Sequence, residues 1–115
     1  MDSHTLLWQY VHDRTDAAFE QIVRQHAGLV YSSAMRRTQT PTLAEEVPQQ
    51  VFCHLARKAK DLPGDVILSG WLYRHTRFTA AKLMRGEARR TRREAKARQD
   101  DDGHIKRDRY RYRLE

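Results

Sequence analysis

Apolar residues along this chain recur at steps of three and four, the period of helices lying on a core. The first such stretch, Ser3 to His12, sets Leu6, Leu7, Tyr10 and Val11 on one face, with Ser3 as the expected cap. Asp13 to Thr15 is polar and makes a turn. Thr15 or Asp16 then caps a helix running to about Arg37, with Phe19, Ile22, Val23, Leu29, Val30 and Ala34 as its apolar positions and Ala27 and Met35 at their edges. Gly28 in its middle costs up to about 1 kcal/mol relative to Ala. A close helix crossing would account for it, and so would simple tolerance. After Gln39 to Pro41, Thr42 with Glu45 three residues on has the capping-box spacing. Leu43, Val47, Val51, Phe52, Leu55 and Ala59 form the buried stripe of that third helix, and Glu45, Glu46, Gln49, Gln50 and His54 cover its other side. Pro48 predicts a kink or a helix start shifted towards it, because an interior proline removes a hydrogen bond at roughly 3 kcal/mol.

Pro63 beside Gly64 marks Asp61 to Leu68 as a loop, with Val66, Ile67 and Leu68 expected to tuck under Trp71. The fourth helix is the longest. Ser69 is its expected cap, and Trp71, Leu72, His75, Phe78, Thr79 and Leu83 are its apolar face, Trp71 and Phe78 packing and Tyr73 exposed. Past Leu83 the apolar stripe stops, while Arg85, Arg89, Arg92, Arg93 and Lys96 continue at helical spacing with Arg74 and Arg77 further up. Asp100 to Asp102 and Gly103 are expected to end it. The pattern predicts an all-α fold: a small bundle of about four helices, the last long and basic. Residues 1–98 form one domain and 99–115 a tail, either the start of a linker or a cloning remnant.

Charge sharpens this picture. The net charge is +7, and residues 70–98 alone hold ten Lys/Arg against two Asp/Glu, so the positive excess lies on the last helix. A merely solvated face would interleave acids at i to i+4; only Glu87 and Glu94 do so. Nucleic acid is therefore the expected partner. A membrane is not, because the arginine-rich half lacks large apolar residues on its other face. Cys53 is the one cysteine and has no second ligand at zinc spacing, so neither disulfide, metal nor cofactor is expected. The six histidines lie apart, and no nucleophile, base and orienting group come together, so no catalytic residue and no enzyme is expected. No segment has a leader's or a membrane span's composition, which makes the cytoplasm the default location.

AFEQIVRQHAGLVYSSAMRR, LAEEVPQQVFCHLARKA and LSGWLYRHTRFTAAKLMRGEARR follow one another in an order that resembles region two of extracytoplasmic-function sigma factors, the small bacterial subunits that direct RNA polymerase to promoters. The resemblance covers about residues 16 to 93, and GWLYR followed by a basic helix is its most telling part. It implies a helical domain that binds core polymerase at the clamp coiled coil through Glu45, Glu46, Gln49, Gln50 and Arg57. It implies capture of a base flipped from the non-template strand of the minus-ten element by the loop holding Asp61, Leu62, Pro63, Gly64 and Ser69. Arg74, Arg77, Lys82, Arg85, Arg89, Arg90 and Arg93 would lie along the phosphates of that strand. An anti-sigma factor is a further implied partner.

The chain departs from the family's usual pattern in three ways. Pro48 stands where a small or β-branched residue is usual, and Gln50 where an acid is. Phe78 and Lys82 stand where asparagines are common. The family's second, helix-turn-helix domain for the minus-thirty-five element is not expected within these residues, which would then be either a fragment or a natural one-domain protein. The alternatives are a stand-alone helical interaction module that keeps the fold, or a nonspecific basic nucleic-acid binder.

Overall fold

A computed structural model of the chain describes residues 1–114, with side chains described to Asp100. It contains helices α1 (Ser3–His12), α2 (Asp16–Arg37), α3 (Pro41–Lys58), a 3₁₀ turn at Ala59–Asp61, and α4 (Leu68–Leu114). No strand occurs among the described residues. The chain forms two compact units, Met1–Met84 and Arg85–Glu115.

In the first unit α2 packs against both α1 and α3. Leu6, Ile22, Val30, Val47, Val51, Leu55 and Leu72 are almost completely buried in one shared cluster. Burying each such side chain contributes about 1.5–3 kcal/mol, which makes this cluster the main source of stability. The expected α3 stripe is buried at every position from Leu43 to Ala59. In α2 the outcome is mixed: Ile22, Val30, Ser33 and Ala34 turn inward, whereas Leu29 is exposed.

The helix starts differ from the expected ones, for local reasons. Asp2, rather than Ser3, caps α1, its Oδ1 accepting from the Thr5 amide at 2.8 Å, and this bond lowers the Asp2 pKa. Ser3 Oγ instead lies 3.0 Å from His26 Nε2, tying α1 to α2. Thr40 caps α3 by accepting from the Leu43 amide, so the cap lies two residues before Thr42 and the Thr42–Glu45 capping box is not the start of the helix. Pro41 favours this solution because its fixed φ and missing N–H suit the first helical position. The start is not shifted towards Pro48, and α3 continues across it. Ser69 is not a cap either. The Trp71 amide donates to the Ile67 carbonyl at 3.0 Å, which places Ser69 inside the first turn of α4. Of Val66, Ile67 and Leu68, Leu68 is buried and Val66 half-buried, but Ile67 faces outward, since successive residues entering a helix cannot share one side.

α4 buries Leu68, Leu72, Thr76 and Ala80, with Trp71, His75, Thr79 and Leu83 flanking them. Steps of four from Leu68 put residue 78 on the far side, so Phe78 is 67% exposed, not packed. Thr76 is buried without penalty because Oγ1 donates to the Leu72 carbonyl at 2.7 Å. Across from α3, the rings of His54, Trp71 and His75 meet, Trp71 and His75 with centroids 3.9 Å apart and His54 and His75 4.8 Å apart. Asp100 to Gly103 do not end the helix. A single glycine costs only about 1 kcal/mol against Ala, less than a proline would.

Two measurements test this packing. No atom lies within 4 Å of where a Cβ on Gly28 would stand, which removes the close-crossing explanation. Gly28→Ala should therefore raise stability by about 0.5–1 kcal/mol, read as a higher urea midpoint. Burial lowers the pKa of His26, and burial, then His54 and Arg74, lower that of His75. The unfolded chain takes up these protons first as pH falls through about 6.5, so stability is full above that pH and declines below it. The thermal midpoint should drop between pH 7.5 and 5, and the drop should be smaller in His75→Gln.

Candidate nucleic-acid interface

Exposed polar groups of α3 and α4 meet along a groove of about 550 Å³. Its α3 side carries Glu46, Gln49, Gln50, Cys53, His54 and Arg57, and its α4 side carries His75, Thr79 and Lys82. The spacing of α3 produces this directly: residues 46, 49, 50, 53 and 57 lie on successive turns, opposite the buried 47, 51 and 55. Gln50 Nε2 donates to Glu46 Oε1 at 3.1 Å, so the glutamine is held by the neighbouring carboxylate. Four of the five expected polymerase-binding residues are thus brought together. Glu45 is exposed but does not line the groove. Lys82, expected on the phosphate track, lines this groove with the α3 residues. The His54 and His75 rings close the groove wall against Trp71.

A different part of α4 carries Arg74 and Arg77, both exposed, with the exposed Phe78 between turns of cations. Arg37 joins this region from the end of α2. Its Nη2 donates to Tyr73 Oη at 3.0 Å, and its guanidinium carbon lies 5.5 Å from the Tyr73 ring centre. Sequence reasoning missed Arg37 because its proximity to Tyr73 is tertiary and leaves no local signal. It missed the exposure of Phe78 because a stripe through Trp71, His75 and Phe78, at steps of four and three, fits a helix as well as the observed steps of four.

The expected base-capture residues are not all together. Leu62, Pro63 and Gly64 line a cleft on the α1 side of the loop, whereas Asp61 lies in the 3₁₀ turn and Ser69 in α4. Val66 N–H donates to the Pro63 carbonyl at 3.1 Å, closing a turn around Gly64 and Asp65. On the other side of that turn, Asp65, Val66, Ile67, Gly70, Trp71 and Arg74 surround a second hollow of about 350 Å³. Arg74 is the one expected phosphate contact that reaches the loop region in this way.

The second unit presents Arg85, Arg89, Arg90 and Arg93 along its own helical segment, all four exposed. Arg90 pairs with Glu87 at 2.8 Å and stands 4.0 Å from Glu94. Such exposed pairs contribute between nothing and about 1 kcal/mol, so they do not immobilise the side chain. Among the described residues, Arg85, Arg89 and Arg93 form no ion pair and can neutralise an external anion without first breaking a bond. No group of His, Cys, Asp and Glu among the described residues could hold a metal ion. Among the same residues, no helix is long and apolar enough to cross a membrane.

No curated protein and no solved structure matches the chain. The family Sigma-70 region 2 matches residues 22–90, which is more than half of the chain and takes in most of α2, all of α3, the loop and the basic part of α4 as far as Arg90. The three sequence blocks, the buried stripes that order them and this match agree: the chain belongs to the sigma-70 region 2 family.

Proposed function

We propose that the chain acts in transcription initiation as the region-two domain of an extracytoplasmic-function sigma factor, in the cytoplasm and without catalytic chemistry or cofactor. The polar face of α3, with Glu45, Glu46, Gln49, Gln50 and Arg57, docks on the clamp coiled coil of core RNA polymerase. Arg74, Arg77, Lys82, Arg85, Arg89, Arg90 and Arg93 neutralise phosphates of promoter DNA, and the loop of residues 61–69 takes a base from the non-template strand of the minus-ten element. The same α3 face would be the surface an anti-sigma factor competes for. The observation that carries this reading is the placement of Glu46, Gln49, Gln50 and Arg57 on one exposed groove wall of a chain in this family.

The work done is binding. An opened strand is held by phosphate contacts, which supply affinity and register, and by contacts to bases, which supply selectivity. Exposed cations are suited to this because they release counterions from the nucleic acid without being desolvated themselves.

Titration onto the isolated clamp coiled coil tests the first part. The intact chain should bind, and the Glu46→Ala, Gln49→Ala double variant should bind at least tenfold more weakly, the loss of one or two charge-assisted hydrogen bonds. An intact chain that fails to bind would point instead to a stand-alone helical interaction module. For the second part, the logarithm of the duplex binding constant should fall with that of salt concentration. Arg85→Ala, Arg89→Ala and Arg93→Ala together should flatten the slope by up to about 0.9 for each phosphate that is no longer neutralised. An unchanged slope would show that these side chains are only solvated.

A further inference from the structure

Trp8 is 56% exposed, an unusual state for the side chain with the largest apolar surface to bury. It is nevertheless held in place. Its ring stacks on His12 with centroids 4.5 Å apart and planes 14° from parallel, while His12 Nδ1 donates to the Trp8 carbonyl at 3.1 Å. Trp8 thereby forms one wall of a cleft of about 440 Å³ whose other wall is Leu62, Pro63 and Gly64, with Lys60 at its edge. The slot is mostly apolar, its polar side chains being that cation, Thr5 and the imidazoles of His4 and His12. Nothing in the family match accounts for it, because α1 lies outside residues 22–90.

We propose that this cleft is a nucleobase subsite, in which an unpaired base stacks on Trp8 against Leu62 and Pro63 while Lys60 meets the adjoining phosphate. The inference rests on the DNA-binding reading above and extends it to a helix that reading did not use. A flat, apolar-faced ring attached to an anion is what a fixed aromatic wall, an aliphatic counter-wall and one rim cation complement. An aliphatic ligand would have no use for the lysine, and a simple phosphate none for the indole. Because every base has a stackable face, Trp8 should add affinity with little dependence on base identity.

The experiment uses the full chain and fluorescently labelled single-stranded oligonucleotides, with Trp8→Ala, Trp8→Phe and Lys60→Ala. Trp8→Ala should weaken binding by roughly five- to a hundredfold at every salt concentration with an unchanged salt slope. Lys60→Ala should lower the slope by about 0.7, the single-strand value for one phosphate. The chain has two tryptophans, Trp8 and Trp71, so binding should quench intrinsic fluorescence in the intact chain, and Trp8→Phe should abolish most of that quenching. Trp8→Phe keeps an aromatic ring on a helix position that is already exposed, so the quenching readout stands even if Trp8→Ala folds poorly. Affinity within twofold of the intact chain in folded Trp8→Ala, or quenching that persists in Trp8→Phe, overturns the subsite while leaving the arginine contacts standing. Absence of single-strand binding by the intact chain overturns both this inference and the DNA reading, and an unaltered salt slope in the arginine variant with Trp8-dependent binding retained overturns the arginine contacts alone.

Discussion

The four-residue step Leu68, Leu72, Thr76, Ala80 is the constraint on which the first unit's surface depends. These positions are sealed against the shared core, and the rotation of α4 about its axis is set by them alone. Once they face inward, Tyr73 and Arg77 fall on one outer flank, Phe78 and Arg74 point away, and His75, Thr79 and Lys82 fall towards α3. A polar residue in this line would be costly if its hydroxyl had no partner, yet Thr76 bonds back to the Leu72 carbonyl and leaves nothing unsatisfied. The chain can therefore place a short β-branched residue at the core line and keep the larger side chains for its surfaces.

α3 answers the same constraint from the other side. Val47, Val51 and Leu55 hold it to the core, and the alternate turns carry Glu46, Gln49, Gln50, Cys53 and Arg57 outward. The missing N–H of Pro48 falls between these two sets, on a half-buried position. It leaves both the buried stripe and the polar face in register, since α3 runs on to Lys58. What Pro48 removes is one backbone bond to the Ala44 carbonyl, and Ala44 is itself fully buried, so the energetic consequence lies inside the bundle and not on the groove.

How much of this the sequence disclosed follows from the range of the interactions involved. The extents of α1 and α2 and the whole α3 stripe could be read from periodicity, because burial of a helix face repeats locally. The start of α3 could not be placed from the Thr42–Glu45 pattern alone, since two capping solutions compete there and Pro41 decides between them. Phe78 shows the limit of periodicity: steps of three and of four are both helical, and only the core tells which one α4 uses. Arg37 and Trp8 were illegible for a different reason. Arg37 matters through Tyr73, 36 positions away, and Trp8 through a loop roughly fifty residues on, and neither relation leaves a mark in the adjacent sequence. The charge asymmetry along 70–98, by contrast, is a property of composition, and most of its cations stand exposed in the structure.

One aromatic group links the surfaces of the first unit. Trp71 lines the hollow beside Asp65 and Arg74, and its ring stacks on His54 and meets His75 at a tilt, both imidazoles lining the α3–α4 groove. The hollow beside the loop and the α3–α4 groove thus share one cluster of three mutually contacting rings, joined to the core cluster through the partly buried Trp71. Burial first, and then His54 and Arg74, lower the pKa of His75, so its ring in this cluster favours the neutral form. The ring cluster that joins the two surfaces is therefore also the place where a proton on His75 is disfavoured.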